Sequence, residues 1–271
     1  MNFRNRWVLV TGASSGLGRA MAALLAREHG ANIVAVARRG DLLDELRSEL
    51  EKSAGVRVET MVADLSKLED VEAVLRKVTV EQPVYAAVLN AGVTHFGNYH
   101  ELEPQKFDEM LHLNVSSNVR LCTGLLPFLE RADEGGGVLL IASMAGITPI
   151  PYQAAYSGTK AFLVHFGCSL WHELEGKKVS LTTYAPGGIV TEMTAGENFV
   201  PLRKWLMPVD EAAREGIDAF RVRKYLYVPG ALNRLGAGLM RMLPRRAMTS
   251  RIGAVYRRAL EQTRDRLVRK D

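Results

Sequence analysis

Trp7-Val8-Leu9-Val10 is a short apolar run with no polar alternation. That is the pattern of a strand buried on both faces, as in a parallel sheet covered by helices. It runs directly into Thr11-Gly12-Ala13-Ser14-Ser15-Gly16-Leu17-Gly18, after which a helix is expected from Gly16 to His29. Strand, glycine-rich turn and helix in this order constrain the chain to an α/β architecture and outline a dinucleotide phosphate site. Glycines let the backbone approach a pyrophosphate, and the helix N-terminus offers unpaired N–H groups at the positive end of its dipole. The spacing is G-x-x-x-G-x-G and not the better-known G-x-G-x-x-G. The strand–helix context therefore carries the reading more than the turn does.

The alternation continues. Strands are expected at 32–37, 56–63, 84–89, 138–142 and 179–184, separated by helices at 41–54, 68–78, 105–131 and 152–175. The informative residues fall at or just beyond the C-terminal ends of strands, where ligands bind in open parallel sheets. The second strand ends in Ala37-Arg38-Arg39, with no carboxylate to hold a ribose 2′-hydroxyl. A guanidinium grips phosphate through two donors, so NADP(H) is expected in preference to NAD(H). The bland alternative is a solvated arginine pair opening a polar helix. Asp64-Leu65 follows the third strand; its carboxylate can accept from an adenine amino group or cap the next helix. Asn90-Ala91-Gly92 ends the fourth strand with small residues that let a flat ligand lie against the backbone. Asn114 sits between Leu113 and Val115 inside a helical stretch, where an amide needs partners. Ser143 closes the fifth strand. Tyr156 and Lys160, four residues apart, share a helix face one turn from each other. They set a weak acid beside a positive charge. Pro186-Gly187-Gly188 and Ile189-Val190-Thr191 follow the sixth strand.

Composition narrows the class. The 271 residues are 47% hydrophobic and 24% charged, as in an ordinary globular protein. Cys122 and Cys168 lie in apolar helical surroundings without CxxC spacing, so they read as reduced core residues in a cytoplasmic setting and not as a metal site or disulfide. Met1–Arg6 lacks the apolar core of a signal peptide, and no run of about 18 apolar residues is present to span a bilayer. The net charge of +5 is uneven: from Arg234 onward eleven Lys/Arg face three Asp/Glu, which leaves the rest of the chain slightly acidic.

Taken together, Thr11-Gly12-x-x-x-Gly16-x-Gly18, Asn90-Ala91-Gly92, Asn114, Ser143, Tyr156-x-x-x-Lys160 and Pro186-Gly187 resemble, in order and spacing, the short-chain dehydrogenase/reductase family across about residues 6–230. The resemblance implies one Rossmann-like domain over 1–230, with a seven-stranded parallel sheet, helices on both faces and a last strand at 225–228 after a helix at 209–220. It implies an NAD(P) cofactor, a homodimer or homotetramer, and a small-molecule carbonyl or alcohol substrate. In the implied mechanism Tyr156 gives the proton, Lys160 and the oxidised nicotinamide lower its pKa, and Lys160 also holds the nicotinamide ribose. Ser143 binds the substrate oxygen and Asn114 positions a relay water. Gly12, Ser14, Ser15, Gly16, Leu17 and Gly18 would surround the pyrophosphate and adenosine ribose. Asp64 and Leu65 would meet adenine, and Asn90, Ala91 and Gly92 would line the adenosine side. Pro186, Gly187, Ile189 and Thr191 would flank the nicotinamide. Ser15 stands where many NADP-preferring members carry Arg or Lys, so the coenzyme preference rests on Arg38 and Arg39.

The candidate substrate pocket, Thr94–Phe96, Met144–Gln153, Gly188 and Met193–Met207, is mostly apolar, pointing to an aliphatic, lipid-like or steroid-like carbonyl compound. A 3-ketoacyl-type reductase is the alternative enzyme, and a redox-responsive dinucleotide-binding scaffold the alternative of another class. Residues 231–271 read as a basic amphipathic helical extension. Leu232, Leu235, Leu239 and Leu243 recur among Arg234, Arg241, Arg245 and Arg246 up to Pro244, and a second helix runs from about Ser250 to Val268. Packing on the domain or a partner subunit is expected, with peripheral membrane contact the alternative. Nucleic acid is not expected, because Tyr256 is the only aromatic among the tail's basic positions.

Overall fold

The computed structural model describes residues 1–132, 135–240 and 244–268. Arg241 and Leu243 of the tail pattern lie outside the described residues, as do the side chains of Leu239 and Leu267. In chain order the elements are β1 (Trp7–Thr11), α1 (Gly16–His29), β2 (Asn32–Ala37), α2 (Gly40–Ala54), β3 (Val58–Val62), α3 (Leu68–Arg76), β4 (Ala86–Leu89), α4 (Pro104–Leu111), α5 (Ser117–Glu130), β5 (Gly137–Ile141), α6 (Met144–Ile147), α7 (Ala154–Glu173), β6 (Ser180–Tyr184), α8 (Val209–Arg221), β7 (Leu226–Tyr227), α9 (Ala231–Met240) and α10 (Arg245–Val268).

All seven strands are parallel and pair in the order β3-β2-β1-β4-β5-β6-β7. The strand order reverses between β1 and β4, and the crevice beyond their C-terminal ends is where such a sheet takes a ligand. The unalternated strands are buried as their composition requires, β2 and β5 at every position. One face carries α1, α2 and α8 over a core that includes Met21, Leu25, Leu46, Ile217 and Phe220. The other carries α3, α5 and α7 over Val74, Leu125, Leu129 and Leu163. Gly216 lets α8 sit tightly, since a Cβ there would fall 3.2 Å from the Tyr184 ring.

Several boundaries differ from the sequence pattern for local reasons. The third and fourth strands are shorter than their apolar runs, at Val58–Val62 and Ala86–Leu89. The 105–131 helix is interrupted by a π-turn at His112–Ser116. There the Ser117 hydroxyl donates to the Leu113 carbonyl (2.7 Å), and the Asn118 amide to the carbonyls of Leu113 (3.1 Å) and Asn114 (3.0 Å). These side chains take up the main-chain acceptors that a widened turn strains. A second π-turn, Lys77–Glu81, ends the α3 segment. The helix expected from Tyr152 starts at Ala154, because Tyr152 has φ +67°. Between Thr191 and Leu206, a stretch that covers most of the expected pocket segment, the chain forms two 3-10 turns, Glu192–Thr194 and Glu197–Trp205. In the tail, α10 begins at Arg245, directly after Pro244 and five residues before the expected start.

Candidate active site

A cavity of about 860 Å³ opens at the C-terminal edge of the sheet, over the β1/β4 switch. Nearly all of the residues singled out from sequence line it: Gly12, Ser14, Ser15, Gly16, Leu17, Arg38, Arg39, Asp64, Leu65, Asn90, Ala91, Gly92, Ser143, Tyr156, Lys160, Pro186, Gly187, Ile189 and Thr191. Gly18 and Asn114 stand one layer behind, and each shapes the wall.

The glycine-rich turn is fixed from beneath. The Thr11 hydroxyl accepts from the backbone N–H of Asn90 (2.9 Å) and Ala91 (3.1 Å), and the Asn90 amide donates to the Thr11 carbonyl (3.1 Å). This ties the ends of β1 and β4 together; the sequence pattern quoted Thr11 but gave it no role. Gly12 has φ +68°, which favours glycine, and a side chain at Gly18 would collide with the Gly12 carbonyl and the Asn90 amide. Ser15 is the N-cap of α1 but makes no side-chain cap bond, and no acidic residue lies in the first turn. The helix's own side chains therefore leave the N–H groups of that turn uncapped, as at helix starts that take anions.

Arg39 lies across this turn. Its guanidinium donates to the hydroxyls of Ser14 (3.2 Å) and Ser15 (2.6 Å) and to the Glu192 carboxylate (2.9 Å). Arg38 pairs with Glu109 of α4 at 2.9 Å. Burial works against the Asp64 carboxylate, but hydrogen bonds from the Ser66 hydroxyl and N–H, with Arg38 and Lys67 nearby, hold it below the usual carboxylate range. Asp64 thus serves the turn before α3 while facing the cavity.

At the far end, Ser143 caps α6, its oxygen accepting from the Ala145 N–H (3.1 Å). Its hydroxyl donates to the Pro186 carbonyl (3.4 Å) and lies beside the Tyr156 phenol. Burial pushes that phenol above its ordinary range, an effect that the Ser143 hydroxyl partly offsets. Lys160 is 4% exposed and donates to the Ile141 carbonyl at 2.9 Å. Burial lowers its ammonium from 10.5 to about 8. The expected depression of the Tyr156 pKa by Lys160 does not appear in this arrangement. Lys160 Nζ sits 5.9 Å from the phenol ring centroid and is directed at the β5 carbonyl, so burial dominates.

Asn114, fully buried within the π-turn, is satisfied through its amide. It accepts from the Val93 N–H (2.8 Å) and donates to the Val93 carbonyl (2.9 Å) and the Thr159 hydroxyl (3.1 Å). A Cβ at Gly92 would lie 3.0 Å from Asn114 Oδ1 and 3.5 Å from Lys160 Nζ, so a bare backbone at Gly92 separates the two groups.

The side of the cavity expected to hold substrate is mostly apolar, but its residues differ from the expected set. Thr94, Met144, Ile150, Gln153, Gly188, Phe199, Leu202 and Trp205 line it. Ile147 instead packs into the core beneath α7, and Phe96 lies behind the wall in a cluster with Phe199 and Tyr256, ring centroids 5.0 and 5.1 Å away. The tail supplies residues the sequence pattern missed, for Asn233 of α9 and Ile252, Val255 and Tyr256 of α10 all face the same cavity. Burial, with the neighbouring Tyr156 phenol, pushes the Tyr256 phenol up. The α10 helix is pinned there by the Thr263 hydroxyl to the Glu197 carbonyl (3.1 Å) and by Arg257 to the Tyr152 hydroxyl (3.0 Å). The only signal for Tyr256 was an aromatic out of place among arginines.

Residues 6–199 match the family model described as short chain dehydrogenase. This chain belongs to the short-chain dehydrogenase family. Among its relatives, the human inactive hydroxysteroid dehydrogenase-like protein 1 is 30% identical over 75% of the chain and 62% of the relative. The very-long-chain 3-oxoacyl-CoA reductase of Schizosaccharomyces pombe is 30% identical over 69% of the chain and 58% of the relative. The chain therefore spans about three fifths of the length of these two relatives. A short-chain dehydrogenase from Sphingobium yanoikuyae, solved in complex with NADPH, superposes with a TM-score of 0.78 at 28% identity, covering 88% of this chain and 96% of that one. The fold is thus that of the short-chain dehydrogenase family. No described helix is long and apolar enough to cross a membrane, and the described residues hold no cluster of His, Cys, Asp or Glu suited to a metal ion.

Proposed function

We propose that this protein is an NADP(H)-dependent oxidoreductase that interconverts a carbonyl and a secondary alcohol on an apolar substrate. The observation that carries the reading is the neighbouring Ser143 and Tyr156 hydroxyls, with Lys160 behind them, where the glycine-turn half of the cavity meets the half under α10. The residues fit the cofactor: the uncapped start of α1, the glycine turn and Arg38–Arg39 suit its phosphates, and Pro186, Gly187, Ile189 and Thr191 border its nicotinamide end. When bound, it would exchange a hydride with the substrate carbon. Ser143 would hold the substrate oxygen and Tyr156 would pass it a proton. Lys160 would bind the ribose hydroxyls with the two donors it does not spend on Ile141. Asn114 and Lys160, on either side of Gly92, frame a place for a relay water. Positive charge brought close to the phenolate would then counter the upward push of burial on Tyr156.

A 3-oxoacyl thioester reductase is the second reading, favoured by the fission-yeast relative's name and the apolar wall formed by Phe199, Leu202 and Trp205. The name of the human relative favours a dinucleotide-binding scaffold; the complete Ser143, Tyr156, Lys160 and Asn114 set opposes it. We assign residues 1–230 to the catalytic domain and 231–271 to an extension whose α10 roofs the substrate pocket. Leu232 and Leu235, exposed on α9, offer a face to a partner subunit or a peripheral membrane contact. Free Cys122 and Cys168 suit a reducing, cytoplasmic compartment. NADPH consumption across a panel of aliphatic, steroid and 3-oxoacyl ketones tests the assignment. Turnover of one class supports it, and tight NADPH binding with no turnover anywhere would favour the scaffold.

A further inference from the structure

Glu192 stands just past Thr191 in a 3-10 turn whose Thr191 side chain lies 3.2 Å from where a Gly16 Cβ would be. The turn therefore rests against the glycine-rich loop, and it sets one carboxylate over the cavity rim. That carboxylate takes the Arg39 guanidinium at 2.9 Å, with the Ser15 hydroxyl close enough to help stabilise its charge. The same guanidinium nitrogen also donates to Ser15 at 2.6 Å. Arg39, Ser15 and Glu192 all line the cavity. The Arg39 guanidinium and the Ser15 hydroxyl hold Glu192 below the usual carboxylate range, so it is an anion at neutral pH.

An anion seated on an arginine and a serine hydroxyl, beside a helix N-terminus, uses the donors a phosphate ester would use. We propose that Glu192 is a resident anion of the coenzyme's 2′-phosphate site and a coenzyme-discriminating residue. It occupies Arg39 and Ser15 in the free protein and yields them to the 2′-phosphate. The proposal rests on the NADP(H) reading above. Solvent access makes the exchange feasible, since the Glu192 and Arg39 side chains are 62% and 44% exposed. Exposed ion pairs of this kind are weak, so displacement costs about two- to five-fold in affinity and no more. Because NAD(H) brings no phosphate to that place, the cost falls on NADP(H) alone.

The test is calorimetric binding of NADPH and NADH to the full chain, without substrate, for wild type, Glu192→Gln and the remote control Glu173→Gln. Glu173 is exposed near the end of α7 and away from the cavity. The expected result is NADPH binding tightened about two- to five-fold in E192Q, NADH binding unchanged, and both unchanged in E173Q. Three outcomes would overturn the proposal: no change in E192Q, equal loss of both coenzymes (a clamp and not a competitor), or an equal gain in E173Q (a general charge effect). The NADP(H) reading has its own check in the wild type. If wild type binds NADPH no more tightly than NADH, that reading fails; if it prefers NADPH while E192Q is unchanged, only the role of Glu192 fails.

Discussion

At the scale of single residues, Lys160 shows a conflict between stability and function. Burial lowers its pKa to about 8 against 10.5 in solvent. Below about pH 8 both folded and unfolded chains hold the proton, and the full cost of a buried ammonium is present. Between about pH 8 and 10.5 the unfolded chain binds a proton that the folded chain has released, so this group makes stability rise with pH, by about 3 kcal/mol over the window. Lys160→Met removes the cost. Urea unfolding of the coenzyme-free protein is expected to show K160M at least as stable as wild type at pH 7. The wild-type midpoint is expected to climb from pH 8 to 10 while that of the variant does not. A variant clearly less stable at pH 7 would contradict the account. The variant is also expected to bind the coenzyme more weakly, since it lacks the donors assigned to the ribose.

At the scale of elements, α10 alters the substrate side most. Tyr256 reaches the cavity beside Tyr156 and packs edge-on against Phe96, while Ala259 and Leu260 hold the helix on the Glu197–Trp205 turn. Tyr256→Ala is expected to raise KM for an apolar ketone about ten-fold, as fits the loss of one buried aromatic contact. Tyr256→Phe is expected to raise it less, and NADPH affinity should hold in both. Steady-state kinetics alongside coenzyme titration check this, and an unchanged KM in Tyr256→Ala would remove α10 from the substrate site. The sheet, its helices and the grouping of the glycine-turn residues in one cavity were legible in the chain, because each is written locally as an apolar strand, a turn residue and a helix start. Tyr256 was not, since its place depends on how a helix some 100 residues beyond Tyr156 folds back over the sheet. Ile147 misled for the converse reason: its loop position suggested the pocket, but the short helix α6 turns it into the core. The π-turn around Asn114 was visible only as an amide out of place, and the hydrogen bonds of Ser117 and Asn118 explain it.

At the scale of the molecule, the parallel sheet brings residues from Gly12 to Tyr256 to one edge and makes one cavity with two chemistries. The half over β1, β2 and β4 carries the glycine turn, Ser14, Ser15, Asn90, Arg38, Arg39 and Asp64 among apolar residues such as Leu17, Val36 and Leu65. The half bounded by the 193–207 segment and α10 is apolar, and Ser143, Tyr156 and Lys160 stand at their junction. This division is the reason for assigning a hydride and proton exchange there and not simple binding. The most direct test is the Tyr156→Phe variant, with coenzyme affinity measured by calorimetry and turnover by NADPH absorbance on the best ketone of the panel. The account predicts NADPH affinity within about two-fold of wild type and turnover lowered at least about 1,000-fold, toward the upper end of what general acid catalysis contributes. A phenylalanine variant that retains most of its turnover would contradict it.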